Sequence, residues 1–294
     1  MNQPFLDRVA NGPVVIADGG LGGILIERGV RPGGCPEALV LSQPDLLREV
    51  AADYLAAGAE VVQTNTFGGS PLKLAAYGLD DRTEEINSRA VELVREVVRG
   101  RAYVCGSCGP CGRVLEPYGD IAPDEVRAGF RRQIGALVEA GVDVLCIETM
   151  IDLAEAKLAI RAARDVSADI PVMATMTFDA TPRGFYTIMG NDVPAAAAGL
   201  AGAGADVVGS NCGNGIEKMV AIAREFRQQT TEPLVIQPNA GVPKMVDGRA
   251  VYSESPEFMA QHAAELLELG VDVIGGCCGT TPAHTAALKR ALRI

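Results

Sequence analysis

The chain reads as a single closed (β/α)8 barrel of the TIM type spanning residues 1–294. Three observations lead there: eight apolar runs of strand length, amphipathic segments of helical spacing between them, and one short phrase repeated before every second strand. The runs are Val14 to Ala17, Glu60 to Thr66, Ala102 to Cys105, Val142 to Ile147, Val172 to Thr177, Asp206 to Gly209, Leu234 to Gln237 and Asp272 to Ile274. Leu46, Leu47, Val50, Tyr54 and Leu55 illustrate the helical periodicity, as do Val126, Phe130, Ile134, Leu137 and Val138. The repeated phrase is Ala57-Gly58-Ala59-Glu60-Val61-Val62, then Ala140-Gly141-Val142-Asp143-Val144-Leu145, Ala203-Gly204-Ala205-Asp206-Val207-Val208 and Leu269-Gly270-Val271-Asp272-Val273-Ile274. Glycine at a helix C-terminus followed by a buried parallel strand is the punctuation a barrel needs. An open doubly wound sheet usually has fewer strands and no such regularity. No linker or low-complexity tract divides the chain.

Composition narrows the partners. A formal charge of −11 leaves no basic footprint for nucleic acid or anionic lipid. Met1 to Asn11 contains no signal-peptide core, and no later stretch reaches the roughly 18 apolar residues of a membrane span, so a cytoplasmic location is expected. Eight cysteines in a chain of this length, some of them consecutive, fit metal chemistry in a reducing compartment better than a disulfide framework.

In a closed ring the C-terminal strand ends form the reactive face. The residues with chemistry collect there: Asp18-Gly19-Gly20 after the first strand, Thr64-Asn65-Thr66 after the second and Glu148-Thr149 after the fourth. Cys212 follows the sixth, Asn239 the seventh, and Cys277 and Cys278 the eighth. Glycines around the cysteine pair, Gly275-Gly276-Cys277-Cys278-Gly279, permit the sharp turn that lets two adjacent thiols face one ion. Three thiolates from two strand ends would make an open zinc site; equally, three cysteines can be small buried hydrophobes. An all-sulfur zinc would favour a sulfur ligand over an activated water, making the fourth ligand a substrate thiolate ready for alkylation. Asp18 and Glu148 are the acids placed to meet a substrate ammonium group, with the amides of Gly19 and Gly20 available for a carboxylate. Each acid also has a structural reading, Asp18 as a cap and Glu148 as the partner of a barrel arginine.

These residues, together with Gln63-Thr64-Asn65-Thr66-Phe67, Gly209-Ser210-Asn211-Cys212, Pro238-Asn239-Ala240-Gly241 and Cys277-Cys278-Gly279-Thr280-Thr281-Pro282, resemble the homocysteine S-methyltransferase family. The resemblance runs from near residue 14 to near residue 292, and its ending looks most like the homocysteine-binding barrel of cobalamin-dependent methionine synthase. It implies Zn2+ on Cys212, Cys277 and Cys278, a homocysteine amino group held by Asp18 and Glu148, and Thr64 near the substrate. It also implies that Asn239 takes the fourth zinc position until the thiol arrives. The product would be methionine. Departures from the family pattern bear on the donor. The betaine-using branch carries a tyrosine where this chain has Gly68 and uses tryptophan, absent here, so the aromatic cage for a quaternary ammonium is missing. Neither His262 nor His284 sits in the Asp-x-His-x-x-Gly pattern of a cobalamin ligand. The expected donors are therefore methylcobalamin carried on a separate corrinoid protein, or a small sulfonium compound. Two alternatives keep the barrel and change its use: a corrinoid demethylation component with a different acceptor, and a non-catalytic zinc-binding barrel.

Other signals are set aside. Cys105, Cys108 and Cys111 are spaced like ligands of a second metal or a cluster, with Cys108 and Cys111 expected in the loop after the third strand; Cys105 falls inside that strand, which argues against a cluster. Cys35 and Cys146 read as structural. His262 and His284 read as surface or helix-end residues, and no serine pattern supports a hydrolytic triad. No lysine stands at a strand end for Schiff-base chemistry. Lys244 to Tyr252 reads as a surface hairpin able to cover the mouth.

Overall fold

The ring closes between its first and second strands, where Ala17 bridges Val61 in parallel and the Asp18 and Glu60 amides donate to Val61 and Ile16 carbonyls at 3.0 and 2.7 Å. The computed structural model describes residues 3–246 and 249–293. Its barrel strands are β1 (Val15–Ile16), β2 (Val61–Gln63), β3 (Tyr103–Cys108), β4 (Val144–Met150), β5 (Val172–Met176), β6 (Val207–Asn211), β7 (Leu234–Gln237) and β8 (Val273–Ile274). Each pairs in parallel with its sequence neighbours, and β8 returns to β1. Helices Pro44–Ala57, Thr83–Val98, Pro123–Glu139, Leu153–Val166, Val193–Ala203, Ile216–Gln229, Pro256–Glu268 and Pro282–Leu292 surround it.

Strand alternation divides the apolar residues into two layers. Val15, Val61, Tyr103, Cys105, Val144, Cys146, Met173, Val207, Val235 and Val273 fill the barrel interior. Ile16, Val62, Val104, Leu145, Val208 and Ile236 face the helices. Three strands run further than their sequence predicts, β6 among them, which continues to Asn211. β3 continues to Cys108, which pairs with Ile147. β4 carries Glu148 and Thr149 within its last turn of chain, across a register break between Ile147 and Met150.

The repeated phrase before the even strands has a physical purpose. Gly58, Gly141, Gly204 and Gly270 all adopt left-handed φ, between 69° and 108°, ending each preceding helix. The acid that follows then binds a neighbouring strand or an arginine. Asp143, Asp206 and Asp272 accept hydrogen bonds from the amides of Val104, Val172 and Leu234 at 2.7 to 2.8 Å. Each also faces an arginine, Arg95, Arg164 or Arg227, that reaches the glycine's carbonyl as well. At the ring's first even strand Glu60 pairs instead with Arg8, Nε to Oε2 at 3.0 Å. Arg8 belongs to the short N-terminal helix Phe5–Asn11, whose Phe5 and Val9 seal the lower end of the barrel. Phe5 meets Tyr103 edge-on, centroids 5.3 Å apart.

Two hairpins rise from the upper face. Asp179–Thr181 pairs with Gly184–Tyr186, and Lys244–Val246 with Arg249–Val251. The second is the expected mouth hairpin; its turn, Asp247-Gly248, lies outside the described residues. Among the described residues no helix is long and apolar enough to cross a membrane.

Candidate metal and substrate site

The sulfurs of Cys212, Cys277 and Cys278 lie within 4.8 Å of one another. Local backbone explains why residues so remote in sequence converge. β6 ends at Asn211 and the chain reverses through Cys212 and Gly213, at φ 61° and 74°. After β8 the Gly276 amide donates to the Asp18 carbonyl at 2.8 Å, where an added Cβ at Gly275 would overlap Ala17 and Asp18. The Cys277 amide then bonds the Pro238 carbonyl at 2.8 Å, fixing the loop against the end of β7. Gly279, at φ 79°, completes the turn.

The trio fits a tetrahedral metal. Bonds of about 2.3 Å to zinc put adjacent sulfurs about 3.8 Å apart, and Cys212 and Cys278 are separated by 3.7 Å. Asn239 is buried and its Oδ1 has no hydrogen-bond partner; its chain neighbours Pro238 and Ala240 bond the Cys277 amide and the Cys278 carbonyl. A buried orphan acceptor on that segment is a candidate oxygen ligand. Hydrogen bonds from Cys212 and Cys277 hold the Cys278 thiol well below its usual value, with Tyr252 adding to the effect.

Two carboxylates complete the site. Asp18 Oδ2 accepts from the Gln63 amide at 2.7 Å, whereas Oδ1 is buried and unpaired. Burial pushes this acid up to about 8, and the nearby Glu148 carboxylate contributes. Glu148 is also raised by burial, against hydrogen bonds from Ser107 and Thr149 that favour the anion. Ser107 Oγ donates to its Oε1 at 2.6 Å and Asn211 Nδ2 to its Oε2 at 3.1 Å. The structural alternatives considered from sequence do not hold: Asp18 caps no helix, and Glu148 has no arginine partner among the described residues.

One cavity of about 1350 Å³ joins Asp18, Gly19, Gly20, Thr64 and Glu148 to the three cysteines. Asn239 is not in its wall. The Gly20 amide is committed to Thr280 Oγ1 at 2.9 Å, so the expectation that it receives a carboxylate is corrected. Thr64 spends its hydroxyl inside the loop, 2.6 Å from Thr66 Oγ1. Sequence reasoning assigned no role to Ser107, Asn211 or Tyr252. Asn211 stood inside a quoted motif; Ser107 was hidden because β3 was ended too early, and Tyr252 because a hairpin's fold over the mouth depends on distant packing. Tyr252 lies against Gly279, where any side chain would overlap its ring.

The second cysteine group does not assemble. Cys105 points into the barrel and Cys108, three residues on in the same strand, into the helix layer. Cys108 is therefore a strand residue and not a loop residue, and Cys111 is buried with its amide on Glu155 at 2.6 Å. Among the described residues only Cys212, Cys277 and Cys278 form a metal-sized group. His284 is a helix-end residue as expected, yet buried, closing a capping box with Thr281.

A family model described as homocysteine S-methyltransferase matches residues 15–292. The chain belongs to that family. Two methionine synthases are similar to it: that of Mycobacterium tuberculosis (strain ATCC 25618 / H37Rv), 31% identical over 88% of this chain and 22% of the relative, and that of Mycobacterium leprae (strain TN), 30% over 95% and 24%. The chain thus spans less than a quarter of the length of those relatives. The metallated form of the Escherichia coli homocysteine methyltransferase MmuM superposes on it with a TM-score of 0.82, at 25% identity, over 98% of this chain and 99% of that one. A carboxyl transferase domain of Rhizobium etli pyruvate carboxylase, at 12% identity and a TM-score of 0.56, shares the barrel fold alone.

Proposed function

We propose that this methyltransferase alkylates the thiol of homocysteine at a zinc held by Cys212, Cys277 and Cys278, giving methionine. The observation that carries the reading is one cavity containing both the sulfur trio and two buried carboxylates. Zinc bound there supplies a Lewis acid that keeps a fourth sulfur ionised near neutral pH. Asp18, through its unpaired Oδ1, and Glu148 receive the amino group of the substrate, whose positive charge offsets the cost of burying two carboxylates. That anchoring fixes the distance from the α-carbon to the sulfur, so the side-chain length of the acceptor is measured against the trio. The unpartnered Asn239 Oδ1 would be the oxygen to complete the metal's ligands before the thiol arrives. Gly19, Gly20 and Thr64 shape the wall around the amino acid.

In the transfer itself a new S–C bond forms as the donor's bond to the same methyl carbon breaks, and the thiol proton has left before attack. The donor is a methylated corrinoid on another protein or a small sulfonium compound. X-ray absorption at the zinc edge tests the acceptor: homocysteine should raise the sulfur count from three to four. An unchanged spectrum with saturating homocysteine would sink the reading and favour a non-catalytic zinc barrel. Assays with methylcobalamin and S-methylmethionine side by side then separate the donors, and a panel of thiols tests for another acceptor.

A further inference from the structure

Asn211 is the last residue of β6, 1% exposed, and its amide meets groups from three other strand ends. Its orientation is unambiguous. Oδ1 lies 2.8 Å from the Thr149 amide and 2.7 Å from Thr175 Oγ1, and the first of these is a pure donor, so the oxygen must face it. Nδ2 therefore faces the site. There its two hydrogens have three acceptors: Thr149 Oγ1 at 2.8 Å, Glu148 Oε2 at 3.1 Å and Cys277 Sγ at 3.7 Å. One of those acceptors belongs to the amino-group pocket and another to the sulfur trio. The remaining bonds, to Thr149 and Thr175, keep the amide from turning away, and they hold Thr149 in its left-handed conformation at φ 59°.

We infer that Asn211 is a positioning residue that joins the two halves of the site, orienting the Glu148 carboxylate and the Cys277 sulfur with a single NH2 group. This rests on the function proposed above. Glu148 and Cys277 share one NH2 group, so a ligand that moves either acceptor shifts the hydrogen bond available to the other, and occupation of one half changes the other. The coupling is reciprocal: metal should alter the affinity for an amino acid that carries no thiol, and that amino acid should alter metal affinity by the same factor.

The discriminating variant is Asn211→Asp, which keeps an oxygen for Thr149 and Thr175 and removes the NH2. Zinc affinity is read by competition with a chromophoric chelator, with and without saturating L-2-aminobutyrate, alongside the KM for homocysteine and thermal unfolding. In the wild type, aminobutyrate should change zinc affinity measurably. In the variant, zinc affinity should fall roughly 10- to 100-fold, as for loss of other partners of metal ligands, KM for homocysteine should rise, and the aminobutyrate effect should vanish. Asn211→Ser, which restores a smaller donor, should recover part of both. A folded Asn211→Asp protein that changes in only one half of the site, or that keeps the wild-type coupling, overturns the inference. A wild type that binds no zinc, or no homocysteine, instead removes the functional reading on which it stands.

Discussion

The Gln63 amide donates to one oxygen of Asp18 at 2.7 Å and leaves the other buried without a partner. This half-satisfied carboxyl is held neutral up to about 8 by its burial, with the Glu148 carboxylate adding to the effect. A carboxyl in that state is a poor host for an ammonium group until it ionises. We predict that L-2-aminobutyrate, which has no thiol to titrate, binds more tightly as pH rises from 6 to about 8, with Asp18→Asn flattening the curve. Isothermal titration across that range checks it; a wild-type affinity independent of pH would count against the role of Asp18.

The same group sets a sign for stability. Asp18 keeps its proton in the folded state between its unfolded value, near 4, and about 8, whereas the unfolded chain has lost it. Ligand-free stability contributed by this site therefore declines as pH rises through that window. Asp18→Asn removes the dependence, so denaturant melts of the two proteins should converge at low pH and separate toward pH 8, with the variant the more stable.

Metal retention is expected to depend on each of the three sulfurs. Cys277→Ala and Cys278→Ala should each lose bound zinc and methyl transfer together, because two thiolates and an amide oxygen make a far weaker site. Elemental analysis of the wild type should return one equivalent of metal per chain, and Cys105→Ser with Cys108→Ser should leave that figure unchanged. A second equivalent lost on those substitutions would revive the group that the strand alternation splits apart.

At Gly279 a methyl group has nowhere to go. The backbone is at φ 79° and Tyr252 occupies the space. Gly279→Ala should displace the hairpin that ends at Tyr252 and loosen Cys278, reducing kcat at least tenfold while the melting temperature of the barrel shifts by only a few degrees. Tyr252→Gly added to Gly279→Ala should restore part of the loss by relieving the overlap; no recovery would place the strain in the left-handed backbone at that position.

The lower face should respond in the opposite way. Asp206 binds the Val172 amide at 2.8 Å and pairs with Arg164 at 2.6 Å; it precedes β6, at the opposite end of that strand from Cys212. Asp206→Ala leaves that amide without its acceptor and Arg164 with only backbone carbonyls to bond, and should cost about 2 kcal/mol of stability, read in chemical denaturation, with kcat unaltered.

Much of this was legible in one-dimensional form. The ring was written in the spacing of apolar runs, and the cysteine turns announced themselves through their glycines. The errors came where a strand's end is decided by its neighbour. Nothing local says that Gly106-Ser107-Cys108 continues β3; its pairing with Cys146 and Ile147 does, and this brings Ser107 to Glu148. Thr149 and Cys212 adopt left-handed backbone although neither is glycine, and Asn211 braces the first of them from another strand. The occupied amide of Gly20 was likewise invisible, because its acceptor, Thr280, lies at the far end of the chain.

Phe5, lodged edge-on against Tyr103 with Val9 beside it, stoppers the barrel from below. That end is plugged among the described residues, so under the proposed function reactants and product would come and go by the upper mouth.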